Sequence, residues 1–432
     1  MLVEFRVENH RSVRDEQVLT MEEGRVGGAE DARPRSVAGH STRLLPVAAL
    51  YGANASGKSN VLGGLAFMRH AVMRSHRMWP PEGGVPRDSF AWGSKASEPS
   101  LFEVTLLIDG VRYQYGFVAN DERFLEEWLY AWPQGRKQTW FEREGDAFKF
   151  GEHLQGEFRV VEQVTRPNAL FLSAAVQHRF EQLTPLYTHF RSLQLINISS
   201  SSYPRAATEF PELWLSRFAK TSSPDLSGQL TLLEMPEANP DEFDAFRELL
   251  RAADVGIVDV KVTKEENDES PPLRGRRPRR LRILVKHQSA SEDAWLPLEE
   301  ESKGTLTLFN LAPAVLDVLW TGGILVVDEL EASLHPLLGL HIVQQFNDPV
   351  RNPRNAQLLF TTHDTNLLGT TLGEPALRRD QIWLTEKDKE GASRIYPLTD
   401  YKPRKEENLE RGYLQGRYGA IPFLGELPPV KD

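Results

Sequence analysis

A glycine-rich octapeptide near the N-terminus constrains this chain more than any other stretch. It reads GANASGKS, from Gly52 to Ser59, and it matches the spacing G-x-x-x-x-G-K-[ST]. An apolar segment, 44–50, precedes it, and residues 58–76 carry apolar side chains at helical spacing. Such a loop can fold into a nest whose backbone N–H groups point at an anion. The octapeptide therefore predicts a strand, a phosphate-binding loop and a helix.

The side chains of this loop have separate predicted roles. Lys58 is expected to reach the β- and γ-phosphates of ATP, and Ser59 to ligate Mg²⁺. A chance glycine loop is the alternative, and the flanking strand and helix count against it. The predicted nucleotide contacts are Gly52, Asn54, Ala55, Ser56, Gly57, Lys58, Ser59 and Asn60.

A second element lies far downstream. The stretch ILVVDE, 324–329, is an apolar strand that ends in two carboxylates. Asp328 is expected to be a metal ligand together with Ser59, and Glu329 to polarise an attacking water. Acidic residues also favour helix N-termini, which is the alternative. A phosphate loop in the same chain favours the metal site.

The next apolar run, LLFTTHD at 358–364, places His363 at the end of a strand. From residue 302 onward the pattern alternates helix and strand, which is typical of a parallel α/β sheet. Ligands bind at the carboxyl ends of the strands in such sheets. His363 is therefore a candidate catalytic residue that senses the γ-phosphate, although a lone histidine is more often structural.

The pentad ESKGT, 301–305, stands in front of a long apolar helix that leads to the strand at 324. ABC-class ATPases carry their signature motif at this place. Ser302 and Gly304 supply the hydroxyl, backbone N–H groups and helix N-terminus that would face the γ-phosphate of a partner subunit. The pentad departs from the more common LSGGQ, and a plain helix N-cap by Ser302 is the alternative.

The intervening pattern predicts three segments: an N-terminal ATPase lobe at 1–150, a mainly helical insertion at 151–255 and a C-terminal ATPase lobe at 256–432. Residues 101–150 alternate like a β meander, with a hairpin turn at Asp109 and Gly110. Strand patterns return on both sides of a polar loop after residue 256.

Composition limits the function classes. The net charge of −10 argues against non-specific coating of nucleic acid, and the absence of cysteine fits a reducing compartment. No secretory h-region follows the N-terminus, and the apolar span 308–327 is broken by Asp317 and a Gly-Gly pair. We expect a cytoplasmic protein with no membrane partner.

Two basic or aromatic segments remain open in function. The run RGRRPRR, 274–280, follows the acidic stretch 265–269. It fits either a nucleic-acid contact or, more simply, a solvated loop of mixed charge. The segment 411–419 is rich in glycine and aromatic residues, which favours a packed C-terminal strap over a partner-binding arm.

In this order, GANASGKS, ESKGT, ILVVDE, LEASLHP and TTHD resemble the ABC-type ATPases of the SMC/RecF/OLD group, above all the stand-alone abortive-infection ATPases of the RloA and AbiL kind. ENHRSV at 8–13, the asparagine after GKS and the closing ENLERGYLQGRYGAIPFL at 407–424 add to the resemblance, which runs nearly end to end. It implies an α/β fold, an ABC-type P-loop ATPase head with an antiparallel β lobe and a helical insertion.

The resemblance also implies partners and cofactors. ATP and Mg²⁺ would lie between the two protomers of a head-to-tail homodimer, with a higher oligomer open. The implied contacts are Lys58 and Ser59 of one chain facing Ser302 and Gly304 of the other, Ser333 and His335 in the D-loop, and Arg11 and Ser12 near the nucleotide.

The chain departs from the family pattern in three ways. No Q-loop glutamine stands out, since Gln114 falls inside a hairpin strand and Glu127 is only a weak acidic candidate. Residues 151–255 are too short and irregular for SMC-type heptad arms. About 70 residues without a carboxylate cluster follow His363, so we expect no nuclease activity in cis.

These features predict an ATPase that acts as sensor or scaffold in bacterial antiphage defence by abortive infection, controlling a separate effector that is a nuclease or toxin. The alternative is a RecF- or SMC-like DNA-repair or chromosome-maintenance ATPase that clamps DNA. A transporter ATPase ranks third, because about 270 residues separate the phosphate loop from ILVVDE.

Overall fold

The computed structural model describes residues 1–28, 30–198, 214–215, 240–253, 256–264, 281–291, 293–371, 373–404 and 407–422. They group into two compact units, the first within 1–205, 318–331 and 340–432, the second within 206–317 and 332–339. The three-segment division drawn from the sequence stays a prediction. The arginine-rich run 274–280 lies outside the described residues.

The strands, in chain order, are β1 (Leu2–Glu8), β2 (Gln17–Thr20), β3 (Val47–Gly52), β4 (Ser100–Ile108), β5 (Val111–Ala119), β6 (Phe124–Trp132), β7 (Gln138–Glu144), β8 (Ala147–Phe150), β9 (Gln194–Ile196), β10 (Ile257–Lys264), β11 (Leu281–His287), β12 (Trp295–Pro297), β13 (Ile324–Val327), β14 (Gln357–Thr361), β15 (Ile382–Lys387) and β16 (Ser393–Pro397). The helices of more than one turn are α1 (Lys58–Arg74), α2 (Phe158–Val164), α3 (Phe171–Gln177), α4 (Thr184–Ser192), α5 (Pro240–Ala253), α6 (Lys303–Thr321), α7 (Pro336–Asn347) and α8 (Leu409–Leu414).

A parallel sheet forms the centre of the first unit. Its strand order is β16-β15-β3-β14-β13-β9, and only β16 runs antiparallel to its neighbour. Every residue of β3, β13 and β14 is buried, as expected for strands covered on both faces. The carboxyl ends of these three neighbouring strands therefore meet at one edge, which is where the predicted site residues fall.

An antiparallel sheet accompanies it in the same unit, with the order β2-β1-β4-β5-β6-β7-β8. The predicted hairpin turn is confirmed: Asp109 and Gly110 adopt left-handed φ values of 50° and 76° between β4 and β5. The predicted helix after the phosphate loop is also confirmed as α1, whose Val61, Leu65 and Met68 are buried at helical spacing.

The C-terminal residues 407–420 pack within the first unit. The ring of Tyr413 on α8 lies 5.6 Å from the ring of Tyr51 on β3, and the Tyr413 hydroxyl donates to the carbonyl of Ala420. Tyr418 donates to Glu407. The prediction of a packed strap is confirmed for these residues.

The second unit contains α5, the antiparallel sheet β10-β11-β12 and the first part of α6. Phe246 on α5 is buried between Trp214 and Phe309, at ring separations of 5.5 and 5.3 Å. Among the described residues, α6 alone has the length and composition of a membrane-crossing helix, and half of its most apolar window is buried in the protein.

Glu127, the weak Q-loop candidate, has a different role. Its side chain on β6 is fully buried and accepts hydrogen bonds from the N–H groups of Phe171 and Leu172, at 2.6 and 3.1 Å, and from the Tyr115 hydroxyl at 3.0 Å. The guanidinium of Arg143 lies 3.9 Å away. Burial raises the pKa of Glu127. The candidacy was wrong, because this carboxyl caps the N-terminus of α3 inside the core.

Glu127→Ala is expected to lower the free energy of unfolding by about 3–5 kcal/mol. The change leaves the buried guanidinium of Arg143 without its nearby carboxylate and two N–H groups at the start of α3 without their acceptor. Urea denaturation followed by circular dichroism measures this. Glu126→Ala, at an exposed position of the same strand, is the control and should change stability by less than about 0.5 kcal/mol. Equal effects of the two variants would contradict the capping role.

Candidate functional site

The phosphate loop has the backbone that its sequence predicts. It runs from Gly52, the last residue of β3, to Lys58, the first residue of α1. Ala55 and Gly57 adopt left-handed φ values of 62° and 104°. A Cβ atom at Gly57 would lie 2.0 Å from the Ser393 hydroxyl, so only glycine fits there.

Lys58 is buried in the loop and has partners for all three of its N–H donors. Its ammonium group donates to the carbonyls of Gly52 and Ala53 at 2.9 and 3.0 Å, and to Nε2 of His363 at 3.1 Å. Burial lowers its pKa, while the nearby Asp328 and Glu329 carboxylates act in the opposite direction. A triphosphate entering the loop would therefore replace neutral partners of Lys58 with anionic ones.

The predicted metal ligands are brought together. Ser59 Oγ donates to Asp328 Oδ1 at 2.8 Å, and Thr361 Oγ1 donates to the same oxygen at 2.6 Å. A hydroxyl and a carboxylate are the oxygen ligands that Mg²⁺ takes beside substrate phosphates. Ser59 and Asp328 therefore fit the metal, as the sequence predicts. Thr361, which the sequence analysis did not single out, orients Asp328 and also accepts from the N–H of Glu329 at 2.7 Å.

Glu329 lies at a turn in the left-handed region, with φ 54°, and its side chain is exposed. A non-glycine residue in this region costs about 1 kcal/mol or more and often marks a functional site. Two residues later, the Glu331 carboxylate accepts from the N–H of His363. The turn after β13 is thus fastened to the end of β14.

His363 follows β14, and its ring contacts the phosphate loop through Lys58. Because an ammonium group can only donate, Nε2 is the acceptor and the ring is neutral. Burial and the positive charge of Lys58 lower the pKa of His363, which agrees with this state. The ring of His363 thus lies against the phosphate loop, and its role as a γ-phosphate sensor stays a prediction.

Asn197 is a site residue that the sequence analysis missed. It follows β9, the edge strand beside β13, and its φ is 61°. Its amide donates to the carbonyl of Asp328 at 3.2 Å, and the N–H of Asp328 donates to Ile196. The only sequence signal was the amide directly after the short run QLI, and three residues are too few to show a strand period.

A set of side chains braces the other side of the loop. Asn60 Nδ2 donates to Ser12 Oγ at 2.6 Å, and Ser393 Oγ donates to the carbonyl of Ser56 at 2.6 Å. The hydroxyls of Ser393 and Ser12 are 2.7 Å apart. Ser12 therefore lies beside the phosphate loop, and its place near the nucleotide, which the resemblance implies, stays a prediction. Ser393 gave no recognisable sequence signal.

Ser302 and Gly304 lie in the second unit, at the start of α6. Ser302 Oγ accepts from the N–H of Thr305 at 3.2 Å, so it caps the helix, and a Cβ at Gly304 would lie 3.0 Å from the carbonyl of Ser333. Ser302, Gly304, Ser333 and His335 line one cavity of about 210 Å³. The signature pentad and the D-loop residues are thus neighbours, and their roles in ATP binding stay predictions.

The parallel sheet carries the phosphate loop, the strand that leads to Asp328 and the strand that leads to His363. Together with the antiparallel sheet of the same unit, this arrangement defines an ATPase head of the ABC type. A family model described as "AAA domain, putative AbiEii toxin, Type IV TA system" matches residues 47–369. The chain belongs to this family.

Comparison with solved structures finds two SMC heads among the similar chains. The SMC head domain from Thermotoga maritima is 11% identical, with 92% of this chain and 98% of that chain covered and a TM-score of 0.40. The SMC head bound to the C-terminal winged-helix domain of ScpA is 13% identical, with coverages of 91% and 96% and a TM-score of 0.45. The search of curated proteins found no match.

Proposed function

We propose that this protein binds and hydrolyses ATP as the sensor or scaffold of a bacterial antiphage system of the abortive-infection type, and that it controls a separate nuclease or toxin. The observation that carries the ATPase part is the direct contact of Lys58 with His363 and of Ser59 with Asp328. The defence part is supported by the family description, which names a toxin and a toxin–antitoxin system, and by the resemblance to RloA- and AbiL-like ATPases. We place it in the cytoplasm.

The residues divide the chemistry of hydrolysis among them. Mg²⁺ held by Ser59 and Asp328 would neutralise charge that develops on the phosphates. Lys58 exchanges its carbonyl partners for phosphate oxygens, and His363 contacts the γ-phosphoryl group. Glu329 accepts a proton from the attacking water and aligns it. Catalysis in such a site is mostly positioning and electrostatics.

The site is completed by a second copy of the chain in this proposal. Ser302 and Gly304 of one protomer face the γ-phosphate bound by Lys58 of the other, so hydrolysis waits for the dimer to close. ATP would then select the closed state because it has contacts there that the open state lacks. The effector would be held in one state and released in the other.

A second candidate function is a DNA-clamping ATPase. The arginine-rich run 274–280 favours it, because five arginines in seven residues suit phosphate contacts. The net charge of −10 counts against it. The defence role is therefore the one we put forward.

The test is affinity purification of Glu329→Gln, expressed with its native neighbouring genes and kept in ATP and Mg²⁺. A stoichiometric protein that elutes when ATP is removed would support the sensor role. Salt-sensitive duplex DNA without a protein partner would overturn it in favour of the clamp. Lys58→Ala is the control, because it should neither retain ATP nor show ATP-dependent capture.

A further inference from the structure

Cations without acidic partners collect around the C-terminal end of α1. The stretches 69–78 and 164–193 contain six arginines and four histidines but only one acidic residue, Glu181, in a chain whose net charge is −10. Among the described residues, none of the six arginines forms an ion pair with a carboxylate. We call these six residues the arginine patch: Arg69, Arg74, Arg77, Arg166, Arg179 and Arg191.

Three helices bring the patch together. Arg69 on α1 donates to the carbonyl of Phe190 near the end of α4, at 3.1 Å. Arg166 donates to the carbonyl of His76, just after α1, at 2.8 Å. The rings of His76 and His178 are 5.9 Å apart, which brings the end of α3 to the same place. The patch is therefore one surface of the first unit.

The cations of the patch act on one another. Burial and the positive charge of Arg74 together lower the pKa of Arg69 to about 10. Burial also lowers the pKa of His76, and the neighbouring Arg166 and His178 act in the same direction. The patch thus carries a positive potential that no direct carboxylate contact offsets within the described chain.

The helix ends alone do not account for so many cations. A helix C-terminus carries about half a negative elementary charge, so the ends of α1, α3 and α4 together match only about one or two cations. Arg69 and Arg166, which are bonded to carbonyls at helix ends, already supply these. Arg74, Arg77 and Arg179 are exposed and exceed the requirement.

An apolar side chain lies beside the exposed arginines. Met78 is 57% exposed, and its N–H donates to the carbonyl of Arg74 at 2.8 Å, so it continues the last turn of α1. Methionine and arginine are enriched in protein–protein interfaces. The phosphate backbone of a nucleic acid has no apolar group that would cover Met78, and a long duplex would also meet the acidic remainder of the surface. Both points favour a protein partner.

The patch and the phosphate loop lie at opposite ends of one helix. Helix α1 begins at Lys58 in the loop and ends at Arg74 in the patch, 17 residues or about 25 Å along its axis. A partner bound to the patch would therefore be attached to the helix that also holds the phosphates.

We propose that the arginine patch docks an acidic segment of the effector protein, with an apolar side chain of that segment covering Met78. The proposal rests on the function proposed above and adds the chemistry of the partner. Complementary charge at an exposed surface speeds association and selects the partner, and the contact with Met78 excludes water beside the charges.

Fluorescence anisotropy of the full chain tests the surface with two labelled probes, a short peptide rich in glutamate and leucine and a short DNA duplex. The peptide should bind, and more weakly as salt is added. Arg74→Glu combined with Arg77→Glu should weaken peptide binding by about tenfold or more, and Met78→Ala by about two- to fivefold. Arg136→Glu combined with Lys137→Glu, at exposed cations outside the patch, is the control and should change it by less than about twofold.

The same double change is then made in the Glu329→Gln protein, expressed with its native neighbouring genes. Arg74→Glu combined with Arg77→Glu should release the protein that Glu329→Gln retains in ATP, and the control pair should keep it. ATP binding should be the same in all of these proteins, because the patch is remote from the phosphate loop.

Three results would overturn the docking surface. They are peptide binding that the double change leaves intact, a protein partner that stays bound to the double variant, and a duplex that binds more tightly than the peptide and is lost on charge reversal. The last would make the patch a nucleic-acid contact. A parent protein that neither hydrolyses ATP nor captures a protein would overturn the proposed function, whereas the peptide series would still decide whether the patch binds acidic protein.

Discussion

Replacing Glu329 with glutamine is expected to leave ATP binding intact and to slow ATP turnover by about 10²-fold or more. Glutamine has the same shape as glutamate, so the left-handed turn at this position and its hydrogen bond to Thr361 should persist. What the amide cannot do is accept a proton from the attacking water. The dissociation constant for ATP should therefore stay within about twofold while kcat falls.

Phosphate release under saturating ATP measures kcat, and calorimetry measures the dissociation constant. Glu374→Gln, which removes an exposed carboxylate outside the site, should keep normal turnover. A Glu329→Gln protein that hydrolyses ATP at a near-normal rate would remove Glu329 from the role of base. That result would leave the assignment of Ser59 and Asp328 as metal ligands in place, because it rests on their direct contact.

The central fold could be predicted because its signals are local. The apolar run before Gly52, the helical spacing of α1 and the turn at Asp109 each specify their own backbone. The alternation of helix and strand after residue 302 predicted parallel strands, and β13 pairs in parallel with β14. Strand β9 could not be predicted, because three residues inside a helical segment show no period.

The residues of the candidate site also differ in whether a local sequence signal predicts them. Lys58, Asp328 and His363 could be predicted to lie together, since Asp328 and His363 follow two strands and Lys58 closes the loop that leaves a third. Thr361 and Ser393 could not, because hydroxyl residues are common at strand ends and only the sheet order gives them their partners. The weak Q-loop candidate Glu127 could not be recognised as a buried helix cap, because its full burial depends on contacts with α3 that the sequence does not display.

Ser302→Asp is designed to test whether the signature pentad acts on the ATP of a partner subunit. Aspartate caps a helix as well as serine does, so the start of α6 should remain folded. Its carboxylate would, however, oppose the γ-phosphate, and we expect a loss of most ATPase activity. Ser302→Asn keeps the cap without the charge and should retain most of the activity.

Mixing inactive proteins then distinguishes the two geometries. In a head-to-tail dimer of Lys58→Ala with Ser302→Asp, one site carries both changes and the other carries neither. Random exchange of equal amounts makes half of the dimers mixed, so about a quarter of all sites should be intact and ATPase activity should return to about that fraction. If Ser302 acted on the nucleotide of its own chain, every site would carry one change. The mixture would then stay as inactive as its components, and the proposed ATP sandwich would be wrong.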